Sequence, residues 1–154
     1  MKLVHNQENI KSEYDEFNFN LMDDLRASEE KFYHIFDFNP CPMSVNDVVT
    51  GRIIDVNQSF LDIMGFQSKI NVIGRSMDES DFKLLGTKNR NVFLKKILED
   101  GMVKNIPIPF RNLSGKKHKG LFSGTLVELN GKKCLLIVCQ VINKQCIMNS
   151  LFLF

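Results

Sequence analysis

The chain has 154 residues, 44% of them hydrophobic, with 13 Phe and a formal net charge of +2; that suits one domain with its own core and some extra length. The N-terminus is polar and lacks the apolar stretch of a secretory signal, and no apolar run approaches the ~20 residues that span a bilayer, so a cytoplasmic, non-membrane protein is expected. Residues 1–30 carry eight acidic and three basic side chains, against ten and seventeen in residues 31–154. The basic residues do not gather into one patch. Lys116, Lys117 and Lys119 follow one turn and Lys132 and Lys133 the next, at opposite ends of a meander, a pattern of solvated strand ends and not of a nucleic-acid interface. The four cysteines, Cys41, Cys134, Cys139 and Cys146, have no paired metal spacing. Cys134 and Cys139 are five apart on one strand and so face opposite sides. Reduced, buried thiols are expected.

Residues 9–37 read as a helix with at most one break. Tyr14, Leu21 and Ile35 fall on one seven-residue series interrupted by Ser28; Leu25 and Phe32 fall on another, preceded by Asn18. That broken heptad suits a helix packed back on its own domain or one that forms a dimer and carries a signal. Asn39-Pro40-Cys41-Pro42 stops it, because each Pro disfavours helix before it. Met43–Val45 is then a short strand, Asp47–Gly51 a turn, and Arg52–Val56 the second strand of a hairpin. Asn57 caps a short helix, Gln58–Met64, that turns Phe60, Leu61 and Met64 inward, and Gly65 supplies its left-handed stop. Residues 66–86 are irregular, with one or two helical turns. Residues 88–100 form the last helix, with Val92 or Phe93, Leu94, Ile97 and Leu98 as its apolar face and Gly101 as its end.

The C-terminal third is a three-stranded meander. Asn130-Gly131 is the strongest hairpin signal, since a type I′ turn needs φ > 0 at both central residues, and Ser114-Gly115 marks the earlier turn. Pro107 and Pro109 share parity in the strand 102–110. Proline cannot donate to a ladder, so this strand belongs at an edge, and Ile106, Ile108 and Phe110 point to the core. Strands split around helices predict an α+β fold: one antiparallel sheet with helices on one face.

From Leu25 to Asn143 the sequence resembles the PAS domain (sensory-box) family of bacterial and archaeal signalling proteins. Ala27-Ser-Glu-Glu-Lys-Phe32 with Ile35-Phe36 and Asn39-Pro40 is similar to the family's entry helix. Gly51-Arg-Ile-Ile-Asp-Val-Asn57, Phe60 and Met64-Gly65-Phe66 are similar to its second strand and first core helix. Val72-Ile-Gly74-Arg75, Leu113-Ser-Gly115 and Gly120-Leu-Phe-Ser123 follow in the family's order. The resemblance implies a five-stranded sheet of order 2-1-5-4-3, an N-terminal flanking helix or linker over 1–26, a PAS domain over 27–143 and a tail over 144–154. It also implies a signal-transduction module acting through dimer geometry, with a homodimer through the N-terminal helix and a histidine kinase or other effector as partner. Where many members end in Asp-Ile-Thr, this chain has Val141-Ile-Asn143, which puts output through that carboxylate in doubt. No effector signature follows, so a free-standing module, a fragment and a truncated product all remain open.

Cofactor signatures are missing. A flavin photoadduct would need a cysteine within Gly74–Gly86, and a haem a histidine on or near the last helix; His5, His34 and His118 lie on an N-terminal arm, the entry helix and a hairpin arm. No cofactor is expected, and a colourless protein follows. No Ser/His/Asp order, paired carboxylates, Walker or HExxH motif appears, so no enzyme is expected. What remains is an apolar site: Phe60, Met64, Leu94, Ile97, Leu98, Ile108, Phe110, Phe122, Ile137 and Cys139. Gly120 and Gly124 on the same face leave space for a small-molecule ligand, unless Phe110 and Phe122 fill it. Two alternatives stay open: a ligand-free PAS interaction module, and a sensor with non-covalent flavin or haem.

Overall fold

The computed structural model describes residues 2–76 and 87–142. The expected tail 144–154, and the part of the irregular segment over 77–86, lie outside the described residues. The chain divides into two compact units, Met1–Phe36 and Asp37–Phe154.

The first unit consists of helix α1, Lys2–Asp37, up to its last residue; the helix is unbroken and about 54 Å long at 1.5 Å per residue. It begins seven residues earlier than the periodicity suggested. Most of its apolar positions are exposed: Tyr14, Leu21, Leu25, Phe32 and Ile35, with Ile10 and Phe17, whereas Phe36 is buried.

The second unit is built on one antiparallel sheet. Its strands are β1 (Met43–Asp47), β2 (Ile53–Val56), β3 (Met102–Arg111), β4 (Lys117–Leu129) and β5 (Lys132–Ile142), in the order β2-β1-β5-β4-β3. Helices α2 (Gln58–Met64) and α3 (Thr87–Asp100) lie between β2 and β3 in the chain. The Asn130-Gly131 turn joins β4 to β5 with φ of 51° and 75°, the left-handed pair a type I′ hairpin requires. β3 is an edge strand, with Pro107 and Pro109 exposed and Ile108 and Phe110 buried. The sequence did not signal the bulge at Asn105 (φ 55°), where the β3–β4 register shifts between Val103 and Ile106.

Asn57 does more than cap a helix. Its Oδ1 accepts from the Phe60 N–H at 3.0 Å and from the Met43 N–H at 2.9 Å, while Nδ2 donates to the Cys41 carbonyl at 2.9 Å. One fully buried side chain thereby fixes the start of α2 against the entry to β1. On the far side of β2, Lys69 lies 3.0 Å from Asp55 and 3.5 Å from Asp37. Burial alone would lower its pKa, but the Asp55 bond and the two carboxylate charges outweigh that and raise it.

Register fixes the faces. Phe122 pairs with Cys139 and Ile106, Gly120 with Ile108, Gly124 with Ile137, and Asn46 with Leu135. These positions share the face that carries α2 and α3, and most belong to one buried cluster with Phe60, Met64, Phe93 and Ile97. On the opposite face Ser123, Thr125, Leu136 and Val138 are half-buried, as expected. Met43, Val45 and Cys134 are buried there as well, so β1 is covered on both sides.

Candidate functional site

The inward face has two ends with different contents. At the β3–β4 end, three rings meet edge to face. The Phe122 centroid is 5.8 Å from Phe110 and 6.4 Å from Phe93, with interplanar angles of 89° and 82°. Edge-to-face contact sets the positive ring edge against a negative face. The two glycines leave no room here. A Cβ on Gly120 would run into the Cys139 sulfur, and one on Gly124 would lie 2.8 Å from Ile97 Cδ1 and 2.9 Å from Phe93 Cζ. The absent side chains are the space into which neighbouring groups pack.

Of the expected site residues, Phe60, Met64, Ile97, Ile108, Phe110, Phe122, Ile137 and Cys139 come together in this core, and Leu94 packs against its edge. Leu98 does not join them; it is 62% exposed. The reason is helical geometry: Phe93 and Ile97 are one turn apart and define the buried stripe, and Leu98 lies about 100° further round. Val92 is exposed for the same reason, so Phe93 is the core member of that pair.

His118 lies on a hairpin arm as expected, at the start of β4, but on the core face. It shares parity with Gly120 and Phe122, and its ring stacks on Phe110 at 5.2 Å and 21°. Its Nε2 is enclosed and has no hydrogen-bond partner among the described residues. Burial, with a smaller push from the Lys116 charge, lowers its pKa. Cys139 is no nucleophile: burial, and then nearby Cys41, pushes its thiol up to about 12, leaving almost no thiolate at neutral pH.

At the β1 end the face turns polar. Ser44 and Asn46 are 2% and 4% exposed, and the Ser44 hydroxyl donates to Asn46 Oδ1 at 2.9 Å. Beside Asn46 is a cavity of about 40 Å³ walled by Phe93, Leu94, Leu135 and Ile137, with Val48, Asp47, Gly51 and Arg90 around its half-exposed rim. Only Leu94 and Ile137 of this lining were expected in the site. Asp47 Oδ1 accepts from the Val49 and Thr50 N–H groups at 2.8 and 2.9 Å. The Thr50 N–H most of all, then Val49 and the Lys132 charge, hold its pKa below the ordinary value against the opposing effect of burial.

Sequence reading missed this end because it placed a short strand at Met43–Val45 without a signal for which side faces inward. Pairing settles it: Ser44 and Asn46 lie opposite Ile137 and Leu135. No group of three or more metal-ligating side chains occurs among the described residues. No described helix is long and apolar enough to cross a membrane.

This chain belongs to the PAS domain family, whose model matches residues 40–143. Similar solved structures include a PAS domain of an HTR-like protein from Haloarcula marismortui, at 19% identity and a TM-score of 0.64, covering 80% of this chain and 98% of that one. A PAS domain of a two-component sensor histidine kinase matches at 8% identity and TM-score 0.62, covering 76% and 98%. The PAS domain of nitrogen regulation protein NR(II) from Vibrio parahaemolyticus matches at 13% identity and TM-score 0.58, covering 71% and 96%. At such identities what is shared is the fold. No curated protein is matched by the chain.

Proposed function

We propose that this chain is a PAS sensory or regulatory module of signal transduction, non-enzymatic and cytoplasmic, which acts on a signalling effector through the geometry of a homodimer. The observation that carries the reading is the solvent-facing seam of α1. Ile10, Tyr14, Phe17, Leu21, Leu25, Phe32 and Ile35 are exposed together. With Ser28 they follow spacings of 4, 3, 4, 4, 3, 4 and 3 residues. That is a heptad with one stutter, the pattern of a helix that pairs with a copy of itself and unwinds locally at the irregular step. The two-component sensor histidine kinase whose PAS domain is among the similar structures supports a kinase-type effector as the partner class.

Deleting residues 1–24 tests this. The mass in solution, measured by light scattering after gel filtration, is expected to fall toward the monomer while the core stays folded. An unchanged dimer mass would refute the assignment.

A second reading, a PAS-fold interaction module with a filled core, is favoured by the Phe93–Phe110–Phe122 cluster. Native against denatured mass spectrometry separates the two, because only a ligand-binding module retains extra mass under native conditions. An absorbance spectrum tests the absence of flavin or haem; a Soret band or stoichiometric flavin absorbance would overturn it.

A further inference from the structure

We propose that the cavity at the β1 end binds a short monocarboxylate, with Asn46 as the buried donor and Arg90 at the rim. The proposal rests on the sensory reading above and narrows the small-molecule ligand expected in the apolar site to a small hydrogen-bond acceptor.

Three observations lead there. First, Asn46 is 4% exposed on a face that is otherwise apolar along β5. Burying a carboxamide in such a place costs free energy unless its hydrogen bonds are made. Its oxygen is satisfied by Ser44. Among the described residues its amide nitrogen donates to no protein atom. Among the described residues the enclosed side-chain atoms without a hydrogen-bond partner are Asp37 Oδ1 and His118 Nε2; the Asn46 nitrogen is not one of them, so it is not sealed off, and Asn46 lines the cavity. An occupant beside it must accept.

Second, Arg90 brings a cation to the same cavity. A Cβ on Gly51 would sit 2.9 Å from an Arg90 guanidinium nitrogen, so the glycine at φ 71° clears the place the guanidinium occupies. A guanidinium has five donors and no acceptor, and it can hold a carboxylate oxygen while keeping another partner. The rim carboxylate Asp47 has other partners: its Oδ1 accepts from the Val49 and Thr50 N–H groups on the turn, and its Oδ2 lies 3.9 Å from Lys132 Nζ.

Third, size limits the choice. About 40 Å³ holds roughly three water-sized groups. That suits formate or acetate, whose carboxylate would face Asn46 and Arg90 and whose carbon would face Phe93, Leu135 and Ile137. A flavin or a fatty acyl chain does not fit.

The test is an amide NMR titration of the ¹⁵N-labelled full chain with sodium acetate, against sodium chloride at equal ionic strength. Saturable shifts of the Asn46 side-chain amide and the Gly51 backbone amide are expected with acetate alone. Arg90→Met, a rim change that leaves the core intact, is expected to weaken acetate binding about tenfold, the loss of one charged hydrogen bond. Asn46→Leu is expected to abolish it. Hexanol and methylammonium are the counter-probes. If hexanol shifts these amides and acetate does not, the carboxylate class is overturned while the ligand-sensing reading stands. If methylammonium alone shifts them, the Asn46 amide presents its oxygen and the class is overturned in the other direction. If no probe shifts them, the cavity holds only water, and ligand sensing at this site fails with the proposal.

Discussion

The two ends of the inward face belong to one sheet, yet one is packed solid and the other is not. At the β3–β4 end, glycines allow neighbours to close in, and three phenyl rings lock edge to face. At the β1 end, a serine–asparagine pair takes the place of apolar side chains, and a cavity of about 40 Å³ is left beside it. The contrast separates two tasks in one fold. The aromatic end supplies cohesion through dispersion and burial. The polar end gives some of that up, because a buried amide and an unfilled volume both cost stability.

The largest effect should come from emptying the packed end. Phe122→Ala removes a ring held between Phe93 and Phe110 and is expected to cost about 3–5 kcal/mol in a denaturant melt. A loss below that range, joined to a change in bound mass, would mean that the aromatic end itself holds ligand and that the contrast is misdrawn. Overfilling should cost less. Gly124→Ala sets a methyl against Ile97 and Phe93. Ile97 Cδ1 is the end of a flexible chain and can give way, but Phe93 is held by Phe122. A loss of about 1–3 kcal/mol is expected. A neutral or stabilising Gly124→Ala would show slack around the rings.

How much of this was legible follows the strength of local signals. Asn130-Gly131, Asn57, Gly65, Gly101 and the two prolines act through backbone chemistry within a few residues, and the elements they delimit form as expected. The sheet order and the parity of Phe110, Phe122 and Ile137 followed from the family resemblance and strand alternation. Three things were hidden. The stripe of α3 depends on its rotation against the sheet, so Leu98 was placed inside when it stands outside. β1 is buried on both faces, so alternation could not say which side Asn46 would take. The position of His118 depends on the β3–β4 register, which stacks it on Phe110.

His118 offers a milder probe of the packed end. Its pKa is lowered from 6.5 by burial and then by Lys116. Below the ordinary value the unfolded chain therefore takes up the proton while the folded chain still resists it. Stability should fall as pH drops from about 6.5 toward the lower folded value and level off beneath it. His118→Phe keeps the stacked ring and removes the proton site, so this part of the pH slope should vanish. An unchanged slope in urea melts across pH 7 to 5 would place His118 in water and loosen the aromatic end at its rim.

The smallest effect is expected one residue from Gly124. Thr125 points to the opposite face and is half-exposed, and its Oγ1 lies 3.4 Å from the Gly101 carbonyl, a long contact. Thr125→Ala removes that contact and a methyl that meets no packed core, so a loss well under ~1 kcal/mol is expected. Strand side chains alternate, and a one-residue slip would carry every inward group outward. Thr125→Ala and Phe122→Ala together therefore read the register of β4 directly. A larger loss from Thr125→Ala than from Phe122→Ala would reverse the faces. It would also move Asn46 out of the interior, because the pairing of β4 with β5 and of β5 with β1 ties the parity of Asn46 to that of Phe122.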